Sequence, residues 1–416
     1  MFFRNKRKEY SSSPLSRLAI KRLLRNNSAL ASMFIIVFAS LVALLGYLIT
    51  PDPTPDVNLQ FLELATRKPG FKVNMLKLRN NAPPKETNIF NRMLFGAPSN
   101  FEEIPYSSYK IEGANLIITE YSDIKNDLPV QKQFPLADIA FALAMDSTGK
   151  LPVWQNGNQI TYKEFDGKIS TISLEVLKQK VISENLTIRR FPFGTDRYGR
   201  DMLSQLMIGT RVSLSVGFIA IAISLLIGIT LGAIAGYYGG KIDQLIVWLI
   251  NVVWSVPTLL LVIAITFVLG KGFWQVFIAV GLTMWVEVAR VVRGQVLSIR
   301  EKEFIEAARA LGYRNRRIIF RHVLPNVMGP VIVISAANFA SAILLEAGLS
   351  FLGIGVQPPT PSWGSMIKEN YGYIILDYAY LAILPGVAIM LMVLAFMLLG
   401  NALRDALDVK AVTTEH

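Results

Sequence analysis

The sequence predicts an all-α polytopic membrane protein with six transmembrane helices, plus a small α/β extracytoplasmic insert between helices 1 and 2. Three observations predict it. Apolar residues make up 52% of the 416-residue chain and the mean hydropathy is +0.41, more than a soluble protein of this size carries. Six apolar runs have the length of about 20 residues that crosses a bilayer. Residues 51–190 contain no such run, but they show strand-like alternation and turn signals.

Charge supplies the orientation. Of the formal net charge of +12, residues 51–190 hold almost none, so the excess sits in the amino-terminal leader and in loops flanking spans. This is the pattern of membrane orientation, and nucleic-acid binding explains it poorly. The chain has no cysteine, which excludes disulfides, thiol nucleophiles and thiolate metal sites. Its only histidines are His322 and His416, which argues against zinc hydrolase and Ser-His-Asp chemistry; no metal site is expected.

Taken in order, residues 1–28 form a basic leader expected in the cytoplasm, and 29–50 the first span, which Thr50-Pro51-Asp52-Pro53 ends without a cleavage site. The insert, 51–190, begins loop-like (PDPTPD, NNAPPKE) and then alternates over Tyr109–Glu120. Asn156-Gly157 signals a hairpin between Val153-Trp154 and Gln159–Phe165, and Ser173–Ser183 reads as an amphipathic helix. Five further spans are predicted at Val212–Ala235, Leu245–Leu269, Phe273–Val292, Val327–Leu349 and Ala379–Leu399. With an inside amino terminus, both termini are cytoplasmic, and the loops around Lys241 and Glu306 fall inside.

The loop at 293–326 carries eight Arg/Lys against three Glu. Within it, Phe304–Leu311 has the composition of a short helix, and Gly312 stands where a left-handed cap belongs. A second basic turn, Arg314–Phe320, leads to Leu324-Pro325, where proline is expected to stop the pattern. EAARALG followed by Leu-Pro is similar to the EAA loop of ABC-importer permeases. The general family pattern has an aliphatic residue where this chain has His322, and Arg321–Asn326 instead resembles the dipeptide/oligopeptide/nickel branch.

The resemblance to C-type permeases of that branch runs over most of Phe193–Lys410. It is carried also by GTDRYGRDMLSQL, GYYGGKID, WSVPTLLL, ARVVRGQVLS, EAGLSFLGIGVQPPTPSWGSM and LRDALD. Val409 departs from the usual proline, and the insert is longer than in most members. On this resemblance residues 191–410 form the permease core, 411–416 a cytoplasmic tail, and the protein sits in the bacterial cytoplasmic membrane among its lipids. Implied partners are a second permease, giving a heterodimer, two ATP-binding subunits and an extracytoplasmic solute-binding protein. The ATPase-coupling residues would be Glu306, Ala307, Ala308, Arg309, Gly312, Leu324 and Pro325. Gly194, Asp196, Arg200, Asp201 and Trp363 are outer-face candidates, either part of a gate or binding-protein surface or a structural elbow. No catalytic residue and no cofactor belong to this chain; ATP and Mg would lie in the ATPase subunits, consistent with the absence of G-x-x-x-x-G-K-[ST]. The resemblance leaves peptides, nickel chelates and other small solutes open, with oligopeptide or dipeptide the expected one.

The residues add readings of their own. Gly217, Gly228, Gly232 and Gly236 offer small surfaces for helix packing, and Pro257 should kink the third span. Glu287 and Arg290 can pair on one helix face, while Glu346 has no local partner. The proline-rich 357–364 should be a rigid outer loop ending near an interfacial Trp363. Two rival functions remain at this stage: an autonomous ion-coupled carrier or channel, and a membrane-anchored enzyme, for which Glu164 and Asp166 are the nearest carboxylate pair.

Overall fold

The structure is a computed structural model that describes residues 15–83, 87–123, 130–144, 151–270 and 272–407. The first half of the basic leader, Pro84-Lys85-Glu86 of the loop-like stretch, and 408–416, with Val409 and His416, lie outside the described residues.

Two helices open the described chain, α1 (Leu15–Arg25) and α2 (Asn27–Ile49). They are separate because the Asn26 side chain accepts from the backbone N–H groups of Ser28 and Ala29, capping α2. The insert follows, with β1 (Phe71–Arg79), α3 (Ile89–Phe95), β2 (Phe101–Glu112), β3 (Asn115–Glu120), β4 (Gln131–Pro135) and α4 (Leu136–Ala140). It ends with β5 (Val153–Asn156), β6 (Gln159–Lys163), β7 (Ile169–Ser173), α5 (Leu174–Lys180) and β8 (Leu186–Phe191). The membrane part comprises α6 (Met202–Tyr238), α7 (Gly240–Trp254), α8 (Thr258–Leu269) and α9 (Phe273–Arg300). It continues through α10 (Glu303–Ala310), α11 (Asn315–Ile318), α12 (Leu324–Phe351), α13 (Trp363–Asn370) and α14 (Tyr380–Leu407).

The insert is an antiparallel five-stranded sheet, β4-β3-β2-β1-β8, beside a three-stranded sheet, β5-β6-β7. Alternation puts Leu116 and Ile118 of β3 on the buried face, where they meet Leu76, Leu136, Ile139, Ile160 and Leu177. The expected β5–β6 hairpin forms, with Asn156 opposite Gln159, and Ser173 caps α5 through Val176 N–H. Two expectations need correction. Tyr109–Glu120 is the closing half of β2, a turn at Gly113 and β3, so it is a hairpin and not one strand. The loop-like first third contains β1, whose buried Val73, Met75 and Leu76 sit among polar and cationic neighbours that mask the alternation.

Among the described residues five helices are long and apolar enough to cross a membrane: α2, α6, α9, the continuous α11–α12 stretch, and α14; the count reaches six if α7 and α8 make one crossing. That pair is the expected third span, and its kink is a 91° break. Pro257 lacks an N–H for the helix ladder and takes an extended conformation (φ −54°, ψ 126°), so the helix stops and restarts.

The glycines of α6 act as a packing groove. A Cβ on Gly232 would lie 2.5 Å from Ala289 O, on Gly228 2.6 Å from Val288, and on Gly236 2.8 Å from Arg293 O. Only hydrogen at these positions lets α6 and α9 approach along most of their length. Gly217 does the same for Phe339 of α12, which stacks on Phe396 of α14 at 3.8 Å.

Candidate functional site

The loop leaving α9 folds back on the membrane helices as α10, and its two faces differ. Ile305 and Ala308, three apart, are buried with Val292, Val296, Ile318 and Val323. Flanking that face, Phe304, Ala307 and Leu311 form an exposed stripe, with Leu311 72% exposed. Glu306, Arg309 and Gly312 are exposed too. The seven expected coupling residues are therefore divided: Ala307, Glu306, Arg309 and Gly312 face outward, whereas Ala308 is packed against its own chain. The composition pointed to alanines and charges, and missed Phe304 and Leu311. Their i, i+7 spacing was the available signal.

Gly312 closes α10 in a Schellman arrangement. It has φ +76°, its N–H donates to Arg309 O (2.9 Å), and Tyr313 N–H reaches back to Ala308 O (3.1 Å). Leu324 and Pro325 do not stop the chain as expected. Pro325 lies in the first turn of α12, after one wide turn at Ile319–Val323 that absorbs its missing donor. Asn326 Nδ2 donates to His322 O (2.7 Å), bridging the wide turn.

The outer-face candidates gather in a buried knot at the start of α6. Asp196 accepts from Tyr198 N–H and Arg200 N–H (both 2.9 Å), Arg200 Nε (2.7 Å) and Gln205 Nε2 (3.1 Å). Arg200 also donates to Glu369 of α13 (2.7 Å). Burial works against the Arg200 charge, but Asp196 and Glu369 outweigh it and raise its pKa. Asp201 caps α6, accepting from Ser204 N–H (2.9 Å) and Oγ; its carboxyl is pushed up by burial, against the pull of those bonds. Asp196, Arg200 and Asp201 are all at most 5% exposed.

Gly199 explains the tight turn between them. Its φ is +72°, and a Cβ there would collide with the Phe61 carbonyl. Gly194 likewise faces the Arg67 carbonyl. Trp363 packs inside the protein: it is 2% exposed, and its Nε1 donates to Leu206 O (3.0 Å). It opens α13 because Ser362 and Ser365 cap each other reciprocally.

Residues 228–412 match the family described as binding-protein-dependent transport system inner membrane component, and residues 13–84 match the N-terminal TM domain of oligopeptide transport permease C. The dipeptide transport system permease protein DppC of Alkalihalophilus pseudofirmus is 45% identical over 218 residues, 52% of this chain and 71% of that protein. The chain belongs to this permease family. The glutathione transport system permease protein GsiD of Pectobacterium atrosepticum is 41% identical over 52% of this chain and 72% of its own length. A chain of the inward-facing methionine ABC transporter MetNI has a TM-score of 0.42 at 19% identity, covering 50% of this chain and 98% of its own.

The permease is thus a multi-pass inner-membrane subunit of an ATP-driven importer, a transport component and not an enzyme. Its family works with an ATPase and a substrate-binding protein, and ATP hydrolysis belongs to the ATPase. The carrier and enzyme readings fall away. Asp166, one of the enzyme candidates, is a turn residue accepting Lys168 N–H (2.9 Å).

Glu287 of α9 and Glu346 of α12 lie within helices long and apolar enough to cross a membrane. Glu346 is fully buried and, against expectation, has a local partner: Ser350 Oγ, one turn on in α12, donates at 2.7 Å, and Ser213 Oγ of α6 adds a distant one at 3.3 Å. Glu287 forms no pair with Arg290; that guanidinium lies 3.5 Å from the centre of the Trp254 ring. Glu287 instead lines a cavity of about 290 Å³ at the α7–α8 break, with Trp254, Thr258, Thr283 and Ser341.

Proposed function

We propose that the permease is one half of a membrane-spanning heterodimer that imports short peptides, working with two ATP-binding subunits and an extracytoplasmic solute-binding protein. The named relatives that handle dipeptides, oligopeptides and glutathione support the solute class. In this reading α7 and α8 count as one crossing. Six spans then place both termini in the cytoplasm and residues 51–190 outside, in a bacterial cytoplasmic membrane.

Coupling falls to α10. The observation that carries this is its two-faced packing: Ile305 and Ala308 fix the helix to α9 and α12, while Phe304, Ala307 and Leu311 remain uncovered beside Glu306 and Arg309. An apolar stripe at an aqueous face is stabilised by a partner that covers it. ATP and Mg, bound by the ATPase pair, would draw those subunits together; α10, Gly312 and the Leu324-Pro325 turn would pass the movement into α9 and α12. Solute would pass between the two permeases, with the Glu287 cavity as part of this chain's wall.

The outer knot of Gly194, Asp196, Arg200, Asp201 and Trp363 reads best as a structural elbow that joins the insert to α6 and α13. The insert above it offers a docking surface or cap for the solute-binding protein.

A crosslinking experiment tests the coupling assignment. The chain has no cysteine of its own, so a single one at Ala307 is unique. It should crosslink to the ATPase subunit in native membranes with a yield that changes on adding ATP, while one at buried Ala308 should not. No ATPase crosslink from Ala307 in a folded, assembled complex would refute the assignment.

A further inference from the structure

We propose that α3 of the insert is sunk into the bilayer beside α2, held there by Arg211, so that the extracytoplasmic domain is anchored among lipid acyl chains. Three independent features place it there.

The first is depth. Arg211 of α6 donates from Nε to Ala43 O (2.8 Å) and from one terminal nitrogen to Leu44 O (3.2 Å), both on α2. It also donates to the last-turn carbonyls of α3, Leu94 O (2.5 Å) and Met93 O (2.9 Å). Ala43 and Leu44 lie five to six residues before Ile49, the end of α2, which at 1.5 Å per residue is about 8 Å inside that end. The end of α3 is therefore below the rim of a membrane-spanning helix. Its free carbonyls, which water would satisfy at a surface, are satisfied by a guanidinium.

The second is the surface that α3 presents. Ile89, Phe90 and Phe95 are 74%, 61% and 69% exposed, three large apolar side chains in seven residues. They continue the uncovered apolar face of α2, where Phe34, Phe38, Leu41 and Leu44 are each more than half exposed. A soluble domain does not hold such a patch in water, whereas a helix in hydrocarbon requires one.

The third is the polar neighbourhood immediately above. Arg92, exposed on the last turn of α3, lines a cavity of about 510 Å³ with Lys77, Arg189, Asp52 and Glu103. The same cavity is bounded by Pro51, Pro53 and Thr54, the residues that leave α2, so it sits at headgroup level. There a long basic side chain reaches out of the apolar layer. After α3 the chain climbs back at once: Ala97 N–H donates to Pro53 O (2.9 Å).

The occupant is lipid, and two other coverings are possible in principle: water and the second permease. Nitroxide labels on single cysteines distinguish the three, using the full chain in its assembled transporter in proteoliposomes. Positions 90 and 95 carry the label, and exposed Trp154 of the insert serves as the aqueous reference. The expected result is high collision with oxygen and low collision with a water-soluble nickel chelate at 90 and 95, with the ratio inverted at 154. Nickel access at 90 and 95 equal to that at 154 would show α3 in water. Low access to both reagents would show a protein partner covering it. Either result overturns the proposal. The collision ratio reads lipid contact whichever leaflet is involved, so it stands or falls apart from the proposed topology and function.

Discussion

Gly312 combines a positive φ with open space around its α-carbon, so the two costs of replacing it separate cleanly. Any side chain there strains the backbone by about 1–2 kcal/mol, and a Cβ at this position meets no atom of the permease within 4 Å. Gly312→Ala and Gly312→Trp should therefore reach the membrane at similar levels. Uptake of a labelled peptide should largely survive Gly312→Ala and be abolished in Gly312→Trp, because only the larger side chain occupies the partner's space. Equal loss in both would assign the effect to strain. Arg200 presents the opposite case, since its importance is internal. Arg200→Met would strip both Asp196 and Glu369 of their shared cation in a buried setting, an effect expected to cost about 3–5 kcal/mol. The loss would register as a lowered unfolding temperature of the purified protein in detergent. The GTDRYGRD motif was legible in the sequence as turns and paired charges. Its burial was not, because the groups that cover it come from Phe61, Arg67 and Glu369, distant in the chain.

At the scale of elements, α10 is small enough that one stripe decides its behaviour. Exposed substitutions such as Phe304→Ser and Leu311→Ser should change stability by no more than about 0.5 kcal/mol, yet each should weaken ATPase association and reduce uptake. Copurification of the ATPase with each variant measures the first effect. In the insert, α4 offers a pH test. Burial pushes the Asp138 carboxyl above its ordinary value of 3.8, opposed by Asn81 Nδ2 donating at 2.8 Å. A raised acid costs nothing while protonated in both folded and unfolded chains, so its penalty appears only as pH rises above 3.8 and levels off past the raised value. Asp138→Asn should therefore raise the insert's melting temperature at neutral pH, with the gain fading as pH falls to 3.8 and below. Circular dichroism of the full chain at several pH values would show it. Which elements could be anticipated follows the same logic of locality. The β5–β6 hairpin and the glycine groove of α6 are written in neighbouring residues, and both form as read. β1, α3 and the buried face of α10 depend on partners far along the chain: β8 and β2 for β1, Arg211 for α3, and α12 for α10. Pro257 was local too, but only its position was legible; the 91° angle is set by the packing of α8 on α9.

At the scale of the whole molecule, the insert departs from and returns to the membrane part through adjacent strands. β1 and β8 pair directly, Phe71 opposite Phe191, and Gly70 N–H donates to Phe191 O at 3.0 Å. Joining Gly70 to Pro192 through a short linker should therefore remove residues 71–191 without displacing the Thr195–Asp201 turn. The shortened permease should still reach the membrane and retain its ATPase partner, which fractionation and copurification would establish. A domain whose two ends meet on neighbouring strands behaves as a graft on its stock. Its length, shape and surface can drift over generations while the gap it must span stays one strand wide. On the proposed topology, the part turned toward the solute is thereby free to diversify, while the part proposed to answer to ATP stays put.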